Sequence, residues 1–379
     1  MTSEATAGVL PAPDAAVADP AALLAAWRPG EGTWFSGPHG GLLARGAARR
    51  LDDPDDAGRV LGETGGIVVG ALPYDPAEPA ALVVPEEITW TSAPARPVGR
   101  GVDDGSDLAH WHARPVPDPA RYEAMVAEAL ERMRSGGLEK VVLSRALDLV
   151  RDTEVDRPAM LRELAARTLA GYVFAVDLPA GSSLVGASPE LLVSRRDGEV
   201  VANPLAGSAA RRSDPDDDEA AGAALLASAK DRHEHALVVQ EVAAALGAEC
   251  DTLDVPAEPS LIRTDALWHL STTIRGRSSV SSLDLARALH PTPAVGGVPR
   301  EAARRAIREL EPYSRGFYTG MVGWMDASGD GEWVVALRCG EVGGCSARLY
   351  AGAGIVPGSV PSAELAETTT KLETMLAAL

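Results

Sequence analysis

Several features that would mark this chain as secreted or membrane-bound are scarce or absent. Among 379 residues there are 3 cysteines, Cys250, Cys339 and Cys345. Their spacing matches neither a zinc site nor a paired disulfide framework, which indicates a reducing compartment. No uncharged apolar run reaches transmembrane length, and the N-terminus lacks the basic start and apolar core of a signal peptide. The sequence therefore predicts a soluble, cytoplasmic protein with no membrane partner.

Positive charge is also in short supply. The chain has 35 Lys and Arg residues against 54 Asp and Glu residues, so its formal net charge at pH 7 is −19. Such a surface repels nucleic acid and anionic membranes, and no block of basic residues offsets it. We expect no nucleic-acid partner. A small anionic substrate would need a local basic cluster or a metal ion in order to bind.

The length allows one large domain or two ordinary ones. Residues 1–20 are rich in Ala, Pro and Asp and predict a mobile N-terminal arm. Residues 21–379 predict a single domain, in which 21–115 is a variable part and 116–379 carries the motifs. Strands outnumber helices and often follow one another directly. This order predicts an α+β fold with large antiparallel or mixed sheets rather than a doubly wound one.

Several elements have clear predicted ends. Asp118-Pro119 begins a helix that Gly136-Gly137 ends. After the acidic run Asp214–Glu219, apolar spacing predicts one long helix that reaches Leu246. Other predicted helices cover 158–168, 283–289 and 301–310. Predicted strands cover 66–72, 81–85, 140–150, 171–178, 183–186, 191–193, 199–201, 320–325 and 332–337.

The segment Leu349–Lys371 predicts an apolar strand, a glycine-broken turn and then a helix whose first turn suits Pro361. Glycines remove Cβ atoms where a backbone turns sharply or lies close to another group. Three of them occur close together here, Gly352, Gly354 and Gly358. A bound ligand is one reason for such a cluster, and an ordinary turn is the other.

Two pairs of acids occur at helical spacing. Asp231 and Glu234 lie three residues apart within KDRHEHALVV, and Glu364 and Glu367 lie three apart after Pro361. Each pair projects from one helix face, so the two pairs can converge on one divalent cation. Oxygen ligands without a suitable Cys or His set favour Mg²⁺. The alternatives are a solvated helix face for the first pair and an ordinary acidic first turn for the second.

Three single residues stand at the ends of predicted strands. Lys140 begins a strand, and a buried lysine can act as a general base, although a wet sheet edge is the commoner place for lysine. Glu190 lies at the mouth of a strand, where a partly desolvated carboxyl can act as a general acid. Arg338 ends an apolar strand and can fork onto a carboxylate. None of the three decides a function alone.

Eight ordered motifs resemble those of the chorismate-utilising enzymes and, within them, the isochorismate synthases. The motifs are KVVLSR, GASPELLV, NPLAGSAAR, SAKDRHEHALVV, LWHLSTTIRG, LHPTPAVGG, GMVGW with GEWVVALRC, and GAGIVPGSVPSAELAE. They run from about Lys140 to the C-terminus, whereas the N-terminal hundred residues carry little of the resemblance. It implies the fold of that family, with large sheets flanked by helices around a central active site in one chorismate-binding catalytic domain.

The resemblance also implies a reaction, the Mg²⁺-dependent isomerisation of chorismate to isochorismate by water addition at ring C2 and loss of the C4 hydroxyl. Lys140 resembles the general base and Glu190 the general acid of the family. The metal ligands match Glu234 and Glu367, with Asp231 and Glu364 as acidic neighbours. The positions that hold the substrate match Ala206, Gly207, Ser208, His269, Arg338, Ala353, Gly354 and Lys371.

Residue differences within the family narrow the reaction. Ala206 stands where aminodeoxychorismate synthases carry a nucleophilic lysine, so water is favoured as the nucleophile, and ammonia users lack a base like Lys140. Tyr318 and Gly296 leave open a salicylate synthase, which also eliminates pyruvate. The other alternative is a catalytically silent ligand-binding homologue. The product would feed siderophore, menaquinone or salicylate biosynthesis, and we expect a monomer or homodimer.

Overall fold

The computed structural model describes residues 18–93, 110–168, 171–264 and 266–379. Of the predicted arm, residues 1–17 lie outside this part of the chain. Its end belongs to the fold, because the Asp19 side chain caps the first helix and Ala18 forms a bridge with Thr91. None of the described helices has the length and apolar character needed to cross a membrane.

Helices and strands alternate irregularly along the described chain. The helices are α1 (Pro20–Ala25), α2 (Asp56–Thr64), α3 (Pro119–Arg134), α4 (Arg157–Arg167), α5 (Pro215–Ala227), α6 (Ala229–Glu249), α7 (Ser282–Leu289), α8 (Arg300–Leu310) and α9 (Pro361–Leu376). The strands of the first half are β1 (Gly32–Gly37), β2 (Gly40–Arg45), β3 (Arg49–Leu51), β4 (Ile67–Leu72), β5 (Ala81–Val84), β6 (Glu87–Thr91), β7 (His112–Val116), β8 (Lys140–Val150), β9 (Tyr172–Asp177) and β10 (Ser183–Ser188). Those of the second half are β11 (Leu191–Arg196), β12 (Glu199–Ala202), β13 (Leu205–Ala210), β14 (Thr252–Asp254), β15 (Ser260–Arg263), β16 (Leu267–Ser271), β17 (Ile274–Arg277), β18 (Gly297–Val298), β19 (Met321–Asp326), β20 (Gly331–Val335), β21 (Cys339–Gly343) and β22 (Ser346–Ile355).

The strands of the described residues form three sheets. The ten-stranded sheet has the order β18-β8-β22-β21-β10-β9-β1-β2-β6, and β7 also pairs with β8. The nine-stranded sheet has the order β14-β17-β12-β11-β20-β19-β4-β5-β3, and the small sheet has the order β13-β16-β15. These paired strands are all antiparallel. The predicted α+β class with large antiparallel sheets is therefore confirmed.

The two large sheets pack face to face, with helices on their outer faces. Phe35 and Phe174 of one sheet and Val322 and Val334 of the other belong to the same buried cluster. Complete burial of a large apolar side chain contributes about 1.5–3 kcal/mol, so this inner layer holds the sheets together. Helices α6 and α7 cover the nine-stranded sheet, while α4 and α9 cover the ten-stranded one. The packing of these layers determines where the ends of the strands lie close to the N-termini of the helices.

The predicted long helix up to Leu246 is wrong, because Ser228 divides it into α5 and α6. Ser228 has extended backbone angles (φ −67°, ψ 115°), and its hydroxyl accepts a hydrogen bond from the Asp231 N–H at 3.3 Å. Serine at an N-cap satisfies an N–H that a helix start leaves unpaired. The break gives α6 a fresh N-terminus, so its first turns carry Lys230, Asp231 and Glu234.

For the glycines of the segment from 349 to 371, the sequence left open a sharp turn or a close approach to another group, and the structure shows both. Gly352 and Gly354 lie inside β22, paired with Ser144 and Val142 of β8. The turn follows the strand, and there Gly358 has φ +98°, which favours glycine. The predicted helix begins at Pro361 as expected. Because Gly352 and Gly354 have no side chains, other groups can lie close to the strand at these two positions.

Candidate active site

A pocket lies where β8 and β22 of the large sheet meet the small sheet and the first turns of α6 and α9. Eleven predicted site residues line it: Glu190, Ala206, Gly207, Ser208, Asp231, Glu234, His269, Arg338, Gly354, Glu367 and Lys371. Lys140, Ala353 and Glu364 do not appear in the lining. Lys140 lies beneath Glu234, and Glu364 lies beside Lys230. The Ala353 side chain belongs to the core cluster on the other face of β22, so only its backbone is available to a ligand.

Lys140 is completely buried at the start of β8 rather than at a wet sheet edge. Its Nζ lies 2.9 Å from Glu234 Oε1 but makes no hydrogen bond of acceptable geometry within the described residues. A buried lysine with one nearby carboxylate and no hydrogen bond is held in place without being fully satisfied. The residue is therefore available for proton transfer to or from a group in the pocket.

Glu190 is the buried carboxyl of the pocket. It follows β10 in the short connection to β11, where its N–H donates to Ser188 Oγ at 3.2 Å. Its side-chain Oε1 has no hydrogen-bond partner among the described residues. Burial raises the pKa of Glu190 to about 8, although Lys140, Arg338 and Lys371 oppose this shift. At neutral pH the carboxyl is therefore largely protonated and can donate a proton.

Arg338 and His269 supply further polar groups to the pocket lining. Arg338 has φ +44°, a backbone conformation that a non-glycine residue adopts only when its surroundings enforce it. It forms no ion pair with a carboxylate of the described chain, so its fork is available to an anion. Burial, together with Arg338 and Lys371, lowers the pKa of His269 well below its usual range. The imidazole is neutral, and its Nε2 lacks a partner within the described residues.

Four acids stand at the end of the pocket between α6 and α9, and each contacts a cation or a hydroxyl. Glu234 faces Lys140, and Glu367 accepts from Lys371 Nζ at 2.5 Å and from Ser208 Oγ at 3.2 Å. Glu364 lies 3.3 Å from Lys230, and Asp231 accepts from Ser228.

Burial raises the pKa of Asp231 and of Glu364, and the charge of Glu367 adds to both shifts. For Glu367 the effect of burial is outweighed by Lys371, so its pKa is lowered. Crowded carboxylates of this kind gain when a further cation arrives.

The side chains of these four acids have the chemistry of a divalent-cation site. They offer carboxylate oxygens only, which suits Mg²⁺, and the missing Cβ of Gly354 leaves space where a methyl group would lie 2.2 Å from Glu234 Oε1. Among the described residues, however, no three acidic, His or Cys side chains are gathered as they stand around one point. The carboxylates turn instead toward lysines and hydroxyls. The chemistry of the residues fits Mg²⁺, and binding would exchange these contacts for the metal.

A buried ion pair stiffens the wall beside Lys140. Arg315 donates to the Val142 and Val295 carbonyls at 2.8 and 2.7 Å and to both oxygens of Glu311. Glu311 in turn accepts from the N–H and hydroxyl of Ser144. Val142 and Val295 line the pocket. Fully satisfied buried networks rigidify the segments they join, so β8 and the loop before β18 are fixed relative to each other.

Sequence reasoning missed some of the pocket. Lys230 and Thr319 line it, and the stacked rings of Tyr318 and Tyr350, with centroids 4.9 Å apart, form part of its wall. Tyr350 carries no distinguishing local signal, since an aromatic residue inside a strand is ordinary. For Lys230 the composition offered a signal, because lysine is rare in this chain.

Comparison with known proteins identifies the family of the chain. A family model described as chorismate binding enzyme matches residues 103–379. The chain belongs to the chorismate-binding enzyme family. The chain is 45% identical over 384 residues to isochorismate synthase DhbC of Bacillus subtilis (strain 168), covering 94% of this chain and 95% of that protein. The resemblance inferred from the motifs is confirmed.

Solved structures of family members share the fold. The structure of DhbC from Bacillus anthracis has a TM-score of 0.89 and 42% identity, covering 94% of this chain and 98% of that one. The structure of MenF, the menaquinone-specific isochorismate synthase from Escherichia coli, has a TM-score of 0.84 and 26% identity, covering 96% and 92%. The expected fold of the family is therefore confirmed along nearly the whole chain.

Proposed function

We propose that this protein is an isochorismate synthase, an isomerase that converts chorismate to isochorismate. The observation that carries the proposal is the pairing of a buried, protonated Glu190 with a buried Lys140 around one pocket. The relatives named above, which are isochorismate synthases, support it. The structure from Bacillus anthracis is described as putative 2,3-dihydroxybenzoate-specific and that from Escherichia coli as menaquinone-specific, so we propose that the product enters one of these two pathways. We also propose that the protein acts in the cytoplasm as a monomer or homodimer.

The two groups divide the proton transfers between them. Lys140, acting as the neutral amine, accepts a proton from water as the water oxygen bonds to ring C2. The ring double bonds shift, and the C–O bond at C4 breaks. Glu190 gives its proton to the departing hydroxyl, which leaves as water. One water enters and one leaves, so substrate and product are isomers.

Substrate binding requires a local reversal of the negative charge of the chain. Chorismate is a dianion, and two of the cations that line the pocket are Arg338, just before β21, and Lys371 of α9. Lys371 donates to the Gly352 carbonyl at 3.0 Å, which fixes its stem against β22. The neutral His269 can exchange a hydrogen bond with a hydroxyl of the ring without adding charge.

We infer that Glu234 and Glu367 hold Mg²⁺, with Asp231 and Glu364 beside them. When bound, the metal supplies positive charge to a substrate carboxylate and draws electron density away from the ring. The protein's part is to present the carboxylates from two helix starts that the fold brings together.

The metal assignment predicts the behaviour of Glu367→Gln. This amide keeps the shape of the side chain but loses its charge, so the affinity for Mg²⁺ should fall by about tenfold or more. Isothermal calorimetry with Mg²⁺ alone, without substrate, measures this directly. As a matched control, Glu373→Gln lies on the same helix outside the pocket lining and should leave the affinity unchanged. Equal affinities in the two variants would remove Glu367 from the metal site.

The function itself is tested by the products. The purified protein is incubated with chorismate and Mg²⁺, with an EDTA control, and products are identified by chromatography and mass. We expect isochorismate in equilibrium with chorismate. Salicylate with pyruvate would instead identify a salicylate synthase, and a folded protein without turnover would favour the silent ligand-binding homologue.

Glu190 gives a prediction for pH dependence. The protonated form is the donor, so the contribution of Glu190 to turnover should be full below a pH of about 8 and should be lost as pH rises through that value. Glu190→Gln should lose about 10²- to 10⁴-fold in kcat, because the amide cannot release a proton. Glu332→Gln is the matched control, since Glu332 is also buried with a pKa raised by burial to about 7 but contacts Tyr172 away from the pocket. A kcat for Glu190→Gln equal to that of the control would exclude the acid role.

The pH dependence of the free energy of unfolding gives an independent measure of the protonation of Glu190. The folded-state pKa of Glu190 lies above its ordinary value of 4.5, so the unfolded chain loses this proton first as pH rises. The contribution of Glu190 to stability is therefore greatest below pH 4.5 and is lost as pH rises to about 8. Relative to Glu190→Gln, the wild type should lose stability over that interval in denaturant titrations. A constant difference would show that the carboxyl is not held protonated.

A further inference from the structure

Lysine is almost absent from this chain, yet every lysine occurs at the pocket. The sequence contains 3 lysines against 32 arginines. Lys140 faces Glu234, Lys371 faces Glu367, and Lys230 lies 3.3 Å from Glu364. Elsewhere the cation of each described ion pair is an arginine, as in the pair of Arg232 with Glu258 on the same helix. The site therefore keeps an ammonium where the rest of the chain has a guanidinium.

Chemistry gives a reason for this choice. A guanidinium forks onto a carboxylate with two parallel hydrogen bonds and holds it in one geometry. An ammonium is a point charge on a flexible stem and can leave one carboxylate for another. Of the three lysines, Lys140 and Lys371 already have proposed roles, which leaves Lys230 unexplained.

The position of Lys230 is that of a residue at the mouth of the pocket. It lies in the first turn of α6, and its side chain is 43% exposed while that of Glu364 is 3% exposed. It is also part of the pocket lining. The lysine is thus partly open to solvent and partly in contact with the cavity, and its contact with Glu364 is long for a charged pair.

We propose that Lys230 is a substrate-binding residue, whose ammonium leaves Glu364 to contact a carboxylate of the incoming dianion at the pocket mouth. The inference rests on the proposed function, since it takes a small dicarboxylate as the ligand. It explains why this position carries lysine, because an arginine forked onto Glu364 would remain there when the anion arrives.

The test compares Lys230→Gln, Lys230→Arg and Arg232→Gln. Arg232 is a close match, because it lies two residues away on α6, is 41% exposed and pairs with a glutamate outside the pocket. Initial rates against chorismate at saturating Mg²⁺ should show KM raised about tenfold or more in both Lys230 variants, with kcat changed less than about threefold. Arg232→Gln should keep the wild-type KM and kcat. Circular dichroism verifies that all three variants fold.

Other values of KM or of the Mg²⁺ affinity would contradict the proposed role of Lys230. A wild-type KM in Lys230→Gln excludes contact with the substrate, and a wild-type KM in Lys230→Arg excludes the need for a releasable ammonium. If the Lys230 variants change the Mg²⁺ affinity measured without chorismate while KM stays constant, the lysine acts only on Glu364 and the proposal fails. Absence of turnover in the wild type overturns the proposed function and this inference with it, and is thereby distinguished from failure of the inference alone.

Discussion

Replacement of Lys140 with glutamine should lower kcat by about 10²- to 10⁴-fold, the usual contribution of a general base, while the protein still folds. Glutamine has an N–H₂ group that can face Glu234, so the buried carboxylate keeps a hydrogen-bond donor after its ion pair is lost. Single-turnover rates with chorismate and Mg²⁺ measure the loss, and circular dichroism verifies the fold. A glutamine variant with wild-type kcat would end the assignment of Lys140 as the base.

A second substitution separates the charge of Lys140 from its ability to lose a proton. Lys140→Arg keeps a positive charge beside Glu234, but a guanidinium does not deprotonate in this pH range. If proton transfer is the role of the lysine, the arginine variant should be as slow as the glutamine variant. If it retains most of kcat, the residue serves as a fixed charge and water is activated by another group.

Replacement of Gly354 with alanine is expected to be nearly as damaging, although only one methyl group is added. Its Cβ would lie 2.2 Å from Glu234 Oε1 and 3.3 Å from the Lys140 Cε, so the Glu234 carboxylate must move away. Misplacement of catalytic groups by about 1 Å costs on the order of 10²-fold in rate. We expect kcat/KM to fall by about that factor and the affinity for Mg²⁺ to fall with it.

The effect of Gly354→Ala should be confined to the site. Gly354 lies in an extended strand, and the atom that must move is the end of a flexible side chain, so stability should change little. Gly62→Ala is the control, because a Cβ there would meet nothing within 4 Å on the surface of α2. Thermal unfolding of both variants should resemble the wild type. A large loss of melting temperature in Gly354→Ala together with normal activity would contradict this account.

Much of the site was predictable because its chemistry is carried by residues in recognisable local motifs. Lys140 at a strand start and Glu190 after Ser188-Pro189 were singled out this way; Glu190 lines the pocket, and Lys140 lies against Glu234 of its lining. The class of the fold followed from strands that succeed one another without intervening helices. The local sequence pattern could not predict which residue each charged side chain contacts. That Arg315 joins Val142 to Val295 depends on tertiary contacts between segments more than 100 residues apart.

One local prediction failed for a reason that is also local. Apolar spacing continued across Ser228, but the serine hydroxyl competes as a helix cap and α6 begins there instead. For Gly352 and Gly354 the sequence left a turn and a close approach open, and in the strand these residues make room for Tyr318 and Glu234. Glycine indicates that a side chain is not tolerated, and the sequence alone does not distinguish a turn from crowding.

The dispersed origin of the pocket also affects how the protein responds to its ligand. Its lining begins at Val142 and ends at Lys371, and it draws on β8, β13, β16, β22, α6 and α9. No short segment retains the site when the rest of the chain unfolds. Substrate at a free concentration 100 times its dissociation constant therefore raises the free energy of unfolding of the whole chain by about 2.7 kcal/mol. Without substrate the unfolded population is correspondingly larger, and we expect proteases that cleave the unfolded chain to degrade the protein faster.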